Sequence, residues 1–359
     1  MTHAQFPVKN LYLPLDRNDN GCYNVSWAEW WIIREKEIFY STEASNIMER
    51  KPTKISIIGA GAVGSAVAFS IATQRLVAEI VIIDVNTEKA EGEAMDISHG
   101  LITMGSMNIH SGTYADVVDS DLIIITAGVG RKPGETRLDL AAKNVAIARD
   151  VVQNVMKYYN GGAVMVISNP VDVITYLVQK ESGLPAGKVF GTGTVLDSAR
   201  FRYFLSTRLD TDIRNVHGFT AGEHGESQFA VWSSVHISGM RLDSFCAKRG
   251  IALNKDEVIK DTVSSGAQVI KRKGVTNYAI AAIAAELAGT VIKNRRSIFS
   301  VTSVLNDYYG IKDVAISVPS FVGEDGVSGN LVYDFTDEEV AKLQNSAKQL
   351  RSFLDSLKI

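Results

Sequence analysis

From Thr53 onward, short apolar runs alternate with stretches in which apolar positions recur every three to four residues. The runs Ile55–Ile58, Ile80–Ile83, Leu122–Gly128 and Ala163–Ser168 are strand-sized and apolar nearly throughout, and Val189–Thr194 reads as the last strand of this half. That pattern suits strands buried on both faces of a parallel sheet. Between them, Ser65–Thr73, Thr87–Ile97 and Leu138–Tyr158 predict helices, with Thr87 as the N-cap of the second. The alternation predicts an α/β fold with a Rossmann-type doubly wound parallel sheet over 53–194. The second half changes character. Val195–Leu209 predicts a helix, strands and longer helices follow, and Thr336 with Glu339 starts a last helix by a capping box. Val340, Leu343, Leu350, Phe353, Leu354 and Leu357 line one face of that helix. An α+β domain is therefore expected over 195–359. Residues 1–52 fit poorly with this pattern. Trp27, Trp30, Trp31, Ile32 and Ile33 beside Arg34–Glu37 suggest an amphipathic helix, yet no basic n-region, apolar h-region or cleavage site makes a signal peptide. The reading is an upstream extension outside the fold, with the natural protein starting near Met48.

The first strand runs into Gly59-Ala60-Gly61-Ala62-Val63-Gly64, and the second ends in Asp84. Asp84 lies about 20 residues past Gly64, the separation at which an acidic side chain reaches an adenine ribose in a βαβ unit. Gly59 makes the turn, Gly61 lets backbone approach a pyrophosphate, and Gly64 lets the helix pack on the strand. The helix amino terminus then offers unpaired N–H groups and the positive end of its dipole to the phosphates. Asp84 would bond the ribose hydroxyls and repel a 2′-phosphate, so the cofactor is expected to be NAD rather than NADP.

Composition narrows the classes further. At 359 residues and net charge −3, with charges of both signs dispersed, no basic stripe points to nucleic acid or an anionic membrane. Cys22 and Cys246 form neither a disulfide framework nor a metal motif, which indicates a reducing, cytoplasmic setting. No metal is expected. The longest apolar runs are strand-sized, too short to span a membrane.

Candidate chemistry lies past the glycine turn. Val129-Gly130-Arg131-Lys132-Pro133-Gly134-Glu135-Thr136-Arg137 is a cationic loop just beyond a strand's carboxyl end, where open α/β sheets bind ligands. His224, in Gly222-Glu223-His224-Gly225, has glycines beside it that permit close backbone approach and an imidazole that exchanges protons near neutrality. Asp197 and Arg200, spaced i, i+3, project from one helix face. An acid to orient an imidazole and a guanidinium to grip a carboxylate suit a hydroxy-acid site. The residues alone leave a surface ion pair and an ordinary exposed histidine open.

In order, the glycine turn, Lys132-Pro133-Gly134-Glu135-Thr136-Arg137, Asn169-Pro170-Val171-Asp172, Asp197-Ser198-Ala199-Arg200 and Gly222-Glu223-His224-Gly225 make the chain from Thr53 onward resemble the NAD-dependent L-lactate/L-malate dehydrogenase family. The resemblance implies that His224 donates and accepts the proton, Asp197 orients it, Arg200 holds the substrate carboxylate bidentately and Arg137 polarises the carbonyl. Asn169 and Thr276 would line the substrate and nicotinamide pocket, and the cationic loop would close over a 2-oxo acid. Val63, Lys89, Tyr114, Gly128, Ser168 and Asn169 would join Gly59, Gly61, Gly64 and Asp84 in binding NAD. Members are usually homotetramers or dimers, so a homo-oligomer is expected.

The substrate is contested by the residues themselves. Arg131 stands where lactate members carry glutamine and matches the malate pattern; facing pyruvate's methyl in a dry site it would be unpaired and costly. Against it, Glu135 and Leu138-Asp139-Leu140 follow the lactate form, Glu135 is placed to neutralise Arg131 in part, and Thr276 matches the lactate-type threonine. Arg202 and His217 match the pair that binds fructose 1,6-bisphosphate in allosteric bacterial lactate dehydrogenases. Gly225–Phe229 is similar to hydroxyisocaproate dehydrogenases, which leaves bulkier acids open. The reading adopted is an L-lactate dehydrogenase, with malate as the alternative and a catalytically silent NAD-binding protein as the alternative of another class.

Overall fold

Successive side chains of each apolar run go to opposite faces of one sheet, and both faces are covered. In the computed structural model, which describes residues 52–130 and 134–359, Ile55 and Ile57 of β1 (Lys54–Ile58) enter one core while Ile58 enters the other. The same division separates Ile80 and Ile82 from Val81 and Ile83 in β2 (Glu79–Ile83), and Leu122 and Ile124 from Ile123 and Ile125 in β4 (Leu122–Ile125). A strand covered by helices on both sides has no polar face to show, which is why these runs do not alternate. Burying each such side chain contributes about 1.5–3 kcal/mol. The residues before Pro52, including the expected extension and Cys22, lie outside the described residues, as do Arg131, Lys132 and Pro133.

The remaining strands of this half are β3 (Asn108–Gly112), β5 (Ala163–Val166) and β6 (Val189–Gly191). β3 is mostly polar and carries no apolar run that would announce it. Later come the short β7 (Val216–His217), β8 (Thr220–Ala221), β9 (Phe229–Ala230), β10 (His236–Ile237) and β11 (Met240–Arg241), then the long β12 (Ser297–Tyr308), β13 (Ile311–Gly323) and β14 (Gly326–Asn330). The main sheet has the order β14-β13-β12-β6-β5-β4-β1-β2-β3. β3 to β6 are parallel in the doubly wound order expected, and the chain reverses direction of travel between β1 and β4, where such sheets open a ligand crevice. The second half continues this sheet: β12 pairs antiparallel with β6 at Thr302 and Gly191.

The helices are α1 (Ala62–Thr73), α2 (Thr87–His99), α3 (Arg137–Val155), α4 (Val171–Ser182), α5 (Val195–Arg208), α6 (Leu242–Arg249), α7 (Lys255–Lys273), α8 (Tyr278–Ile292) and α9 (Asp337–Ser356). Between α2 and β3 the chain makes a four-residue helical turn, Leu101–Met104. One cap is corrected: Asn86, not Thr87, caps α2, because its Oδ1 accepts from the Lys89 N–H and Thr87 is already helical. The expected capping box of α9 forms with Thr336 and Glu339. Within its stripe Leu343, Leu350 and Leu354 are buried, while Val340, Phe353 and Leu357 lie at the half-exposed margin.

Candidate active site

The glycine turn forms a cradle at the amino end of α1. Gly59 has φ +114°, which suits only glycine, and a methyl added there would sit 2.6 Å from Thr126 Oγ1. One added at Gly64 would drive into the Gly59 carbonyl oxygen and approach Thr126 Oγ1 to 2.8 Å. One added at Gly61 meets no atom within 4 Å. The first two glycines therefore serve the fold, and the third keeps space open in front of a helix start that has no side-chain cap and no acid in its first turn. That opening fits a pyrophosphate. Gly61→Ala is expected to leave Tm near wild type while weakening NADH binding by about tenfold or more. Gly64→Ala should cost about 1–3 kcal/mol of stability; melting curves and an NADH titration of both variants test the division.

Asp84 lies at the end of β2, its Oδ2 accepting from Ala60 N–H at 2.6 Å and its Oδ1 from Asn86 N–H at 2.8 Å. The carboxylate is thus fixed beside the glycine turn. Tyr114 is half-buried near it, with a phenol raised above its ordinary range by burial and by Asp150 and Asp84. Val63 follows the turn, and Lys89 is exposed on α2. Ser168 is buried and spends its hydroxyl on the Ala127 carbonyl at 2.6 Å, tying the ends of β4 and β5 together. Gly128 lies in contact range of Asn144.

The fold also brings His224, Asp197 and Arg200 together. His224 Nδ1 lies 2.6 Å from Asp197 Oδ2, and Arg200 Nη1 donates to Asp197 Oδ1 at 3.0 Å. Burial opposes charge on both members, but the mutual attraction wins. Burial by itself would lower the His224 pKa; the Asp197 and Asp172 carboxylates outweigh it and push it up to about 9. Burial likewise favours the neutral form of Asp197, yet His224 and Arg200 hold it below the usual carboxylate range. With Nδ1 committed to Asp197, Nε2 is the atom left to exchange a proton with a ligand.

Arg137, the first residue of α3, pairs with Glu223 and lies over the Phe353 ring at 5.2 Å. Its guanidinium is thus engaged by the carboxylate of the residue before His224. Phe353, at the margin of the apolar stripe of α9, is in contact with Arg137. The Asn169 carbonyl accepts from Asn144 Nδ2 at 2.6 Å, and the same Asn144 amide bonds both the N–H and C=O of Val129. Thr276, just before α8, has a buried hydroxyl with no hydrogen-bond partner among the described residues. Glu135 pairs with Lys143; its expected partner Arg131 is outside the described residues. Arg202 is half-buried, which depresses its guanidinium pKa, and its Nε donates to the Val216 carbonyl at 2.6 Å. His217, the next residue after Val216, is exposed on β7 opposite His236.

Sequence reasoning gave no role to Asp172, Glu223 or Asn144, although the first two sat inside quoted motifs. Their signal was available only as polar residues that end up buried: Asp172 is 3% and Glu223 4% exposed. Thr302 and Ser317, which prove to contact this region, stand in long strands with nothing local to mark them. Among the described residues no cluster is arranged for a metal ion, and no helix is long and apolar enough to cross a membrane.

Two family models and many relatives match this chain. The family model for the lactate/malate dehydrogenase NAD binding domain matches residues 53–191, and that for the lactate/malate dehydrogenase alpha/beta C-terminal domain matches residues 194–358. An L-lactate dehydrogenase of Thermoanaerobacterium saccharolyticum is 43% identical over 86% of this chain and 100% of its own length. L-lactate dehydrogenase 1 of Clostridium acetobutylicum is 45% identical over 86% of this chain and 99% of its own. Among solved structures, the L-lactate dehydrogenase of Clostridium thermocellum superposes with TM-score 0.77 at 48% identity, covering 86% of this chain and 100% of that one. The first family model begins at residue 53, where the apolar pattern begins. The chain belongs to the lactate/malate dehydrogenase family, with an NAD-binding Rossmann domain followed by an α/β C-terminal domain.

Proposed function

We propose that this protein is a cytoplasmic NAD-dependent L-lactate dehydrogenase that interconverts pyruvate and L-lactate, as in a fermentative glycolysis. The observation that carries the reading is the His224–Asp197–Arg200 group at the crevice, with relatives named L-lactate dehydrogenase over nearly their whole length. NADH, when bound against Gly59–Gly64 and Asp84, supplies the hydride that the protein itself cannot. Arg200 holds the substrate carboxylate through the part of its fork not given to Asp197, which aims the keto carbon at the cofactor side. Thr276 supplies a hydroxyl to the same pocket, and Asn169 lines it. Arg137, released from Glu223, polarises the carbonyl where negative charge develops. Protonated His224 donates from Nε2 to the carbonyl oxygen, and Asp197 stabilises the charged ring beforehand. In the oxidative direction the neutral ring takes the hydroxyl proton back.

Arg202 and His217, adjacent through the Val216 carbonyl, are proposed to receive a phosphate of fructose 1,6-bisphosphate in a homotetramer. Malate remains the second reading because of Arg131. The test is kcat/KM with NADH for pyruvate and oxaloacetate side by side, with and without fructose 1,6-bisphosphate. Pyruvate is expected to be preferred and its use to rise with the sugar phosphate. A preference for oxaloacetate by orders of magnitude would make Arg131 the determinant and overturn the lactate assignment. Binding of NADH without turnover of any 2-oxo acid would revive the silent binding protein.

A further inference from the structure

A second buried acid stands behind His224. Asp172, the second residue of α4, is 3% exposed, and its Oδ2 accepts the main-chain N–H of His224 at 2.7 Å. Its Oδ1 accepts the hydroxyl of Thr302, which is fully buried on β12 at the point where that strand joins β6. Thr302 Oγ1 lies 2.8 Å from Ser317 Oγ on β13, and Ser317 Oγ accepts the N–H of Thr194 at 3.1 Å. Thr194 is the residue at the head of α5, the helix that carries Asp197 and Arg200.

The direction of each hydrogen bond in this chain follows from its ends. A main-chain N–H can only donate, so Ser317 accepts from Thr194; an ionised carboxylate can only accept, so Thr302 gives its proton to Asp172. Ser317 must then donate to Thr302. The polarised line therefore starts at the head of α5 and ends on the carboxylate that holds the histidine backbone. A line of this kind has one satisfied arrangement only while Asp172 is charged, since a protonated or amide group there competes with Thr302 to donate.

We propose that Asp172 is a positioning residue for His224: it anchors the histidine main chain through the Thr302–Ser317 hydroxyls to the helix that carries Asp197, so that ring and acid are placed by one buried frame. The inference rests on the proton-transfer role given to His224 above. Asp197 fixes the ring by its side chain, and Asp172 fixes the backbone from which the ring projects. Its charge also acts on the ring. Burial pushes the Asp172 carboxyl up to about 6, so it is ionised at neutral pH and adds to Asp197 in favouring the imidazolium. Among the described residues, the charged groups acting on His224 are Asp197 and Arg200 of α5 and Asp172 of α4; Glu223, its neighbour in the chain, acts on Asp172 and is paired with Arg137 of α3.

The test is an NMR titration of the His224 ring in the cofactor-free protein for wild type, Asp172→Asn and Thr302→Val, with the pH profile of kcat/KM measured in parallel. Asp172→Asn is expected to move the ring's midpoint and the alkaline limb down together by about one pH unit or more, with NADH affinity within about twofold of wild type. Thr302→Val leaves Asp172 without its donor and should move both the same way by less. Should Asp172→Asn fail to fold, Thr302→Val decides. If the variants lower Tm while the midpoint and the limb stay within about 0.2 pH unit of wild type, Asp172 is part of the packing only and the proposal is overturned. A wild type that turns over no 2-oxo acid would overturn the proposed activity, and the ring titration would still read the inference about Asp172.

Discussion

Replacing His224 with asparagine is expected to lower kcat/KM for pyruvate reduction by about 10²–10⁴-fold, the range contributed by a positioned proton donor. The change removes the proposed proton donor and little else. Asparagine keeps a polar side chain of similar reach for Asp197, its main-chain N–H still meets Asp172, and the cradle of Gly59, Gly61 and Gly64 is built from other elements, β1 and α1. NADH should therefore bind with nearly unchanged affinity, and the alkaline limb of the pH profile should vanish rather than shift. A variant that retains more than about a tenth of wild-type turnover would show that another group carries the proton.

Asp197→Asn is expected to be nearly as damaging at neutral pH, for an electrostatic reason that can be read separately. Its carboxylate is 1% exposed and holds both the ring and Arg200. An amide there offers no charge to the imidazolium, and if its NH₂ turns toward Nδ1 it forces the wrong ring tautomer. With the His224 pKa pushed up to about 9 in the wild type, pyruvate reduction is expected to hold its rate through neutrality and fall above that value, and lactate oxidation to rise toward it. In the variant the limb should move down toward the ordinary value of about 6.5. Loss of about two orders of magnitude in kcat/KM at pH 7.5 is expected, from the missing protonated fraction and the loosened ring together. Stability carries the same sign. A histidine whose pKa is higher folded than unfolded stabilises the fold fully below about 6.5, and that contribution fades as pH rises to about 9. Thermal melts between pH 6 and 9 should show a steeper alkaline decline in wild type than in Asp197→Asn. An unchanged limb in the variant would refute the assignment.

The contrast between these acids shows how far reading along the chain can go. The strands were legible because a parallel sheet buried on both faces needs unbroken apolar runs, and Ile55–Ile58, Ile80–Ile83 and Leu122–Ile125 supply them. Gly59 and Gly64 were legible because a tight strand-to-helix turn admits no side chain there, and Asp197 with Arg200 because a helix puts i and i+3 on one face. Such features depend on neighbours a few residues away. β3 was missed because an edge strand with one partner carries polar residues, and the α2 cap was misplaced by one residue because Asn86 and Thr87 are both able caps.

Sequence alone determined the periodicities, the glycine turn, the helix face bearing Asp197 and Arg200, and the family resemblance. Only the tertiary structure decided that Asp172 meets the backbone of His224, that Thr302 and Ser317 line up behind it, that Glu223 and Phe353 engage Arg137, and that β12 extends the nucleotide-binding sheet. The reason is physical. Local backbone preference and burial pattern are set by residues close in the chain, whereas a buried polar group is satisfied by whatever partner the packing of distant elements delivers, and Asp172 and Thr302, 130 positions apart, carry no trace of that pairing in either segment.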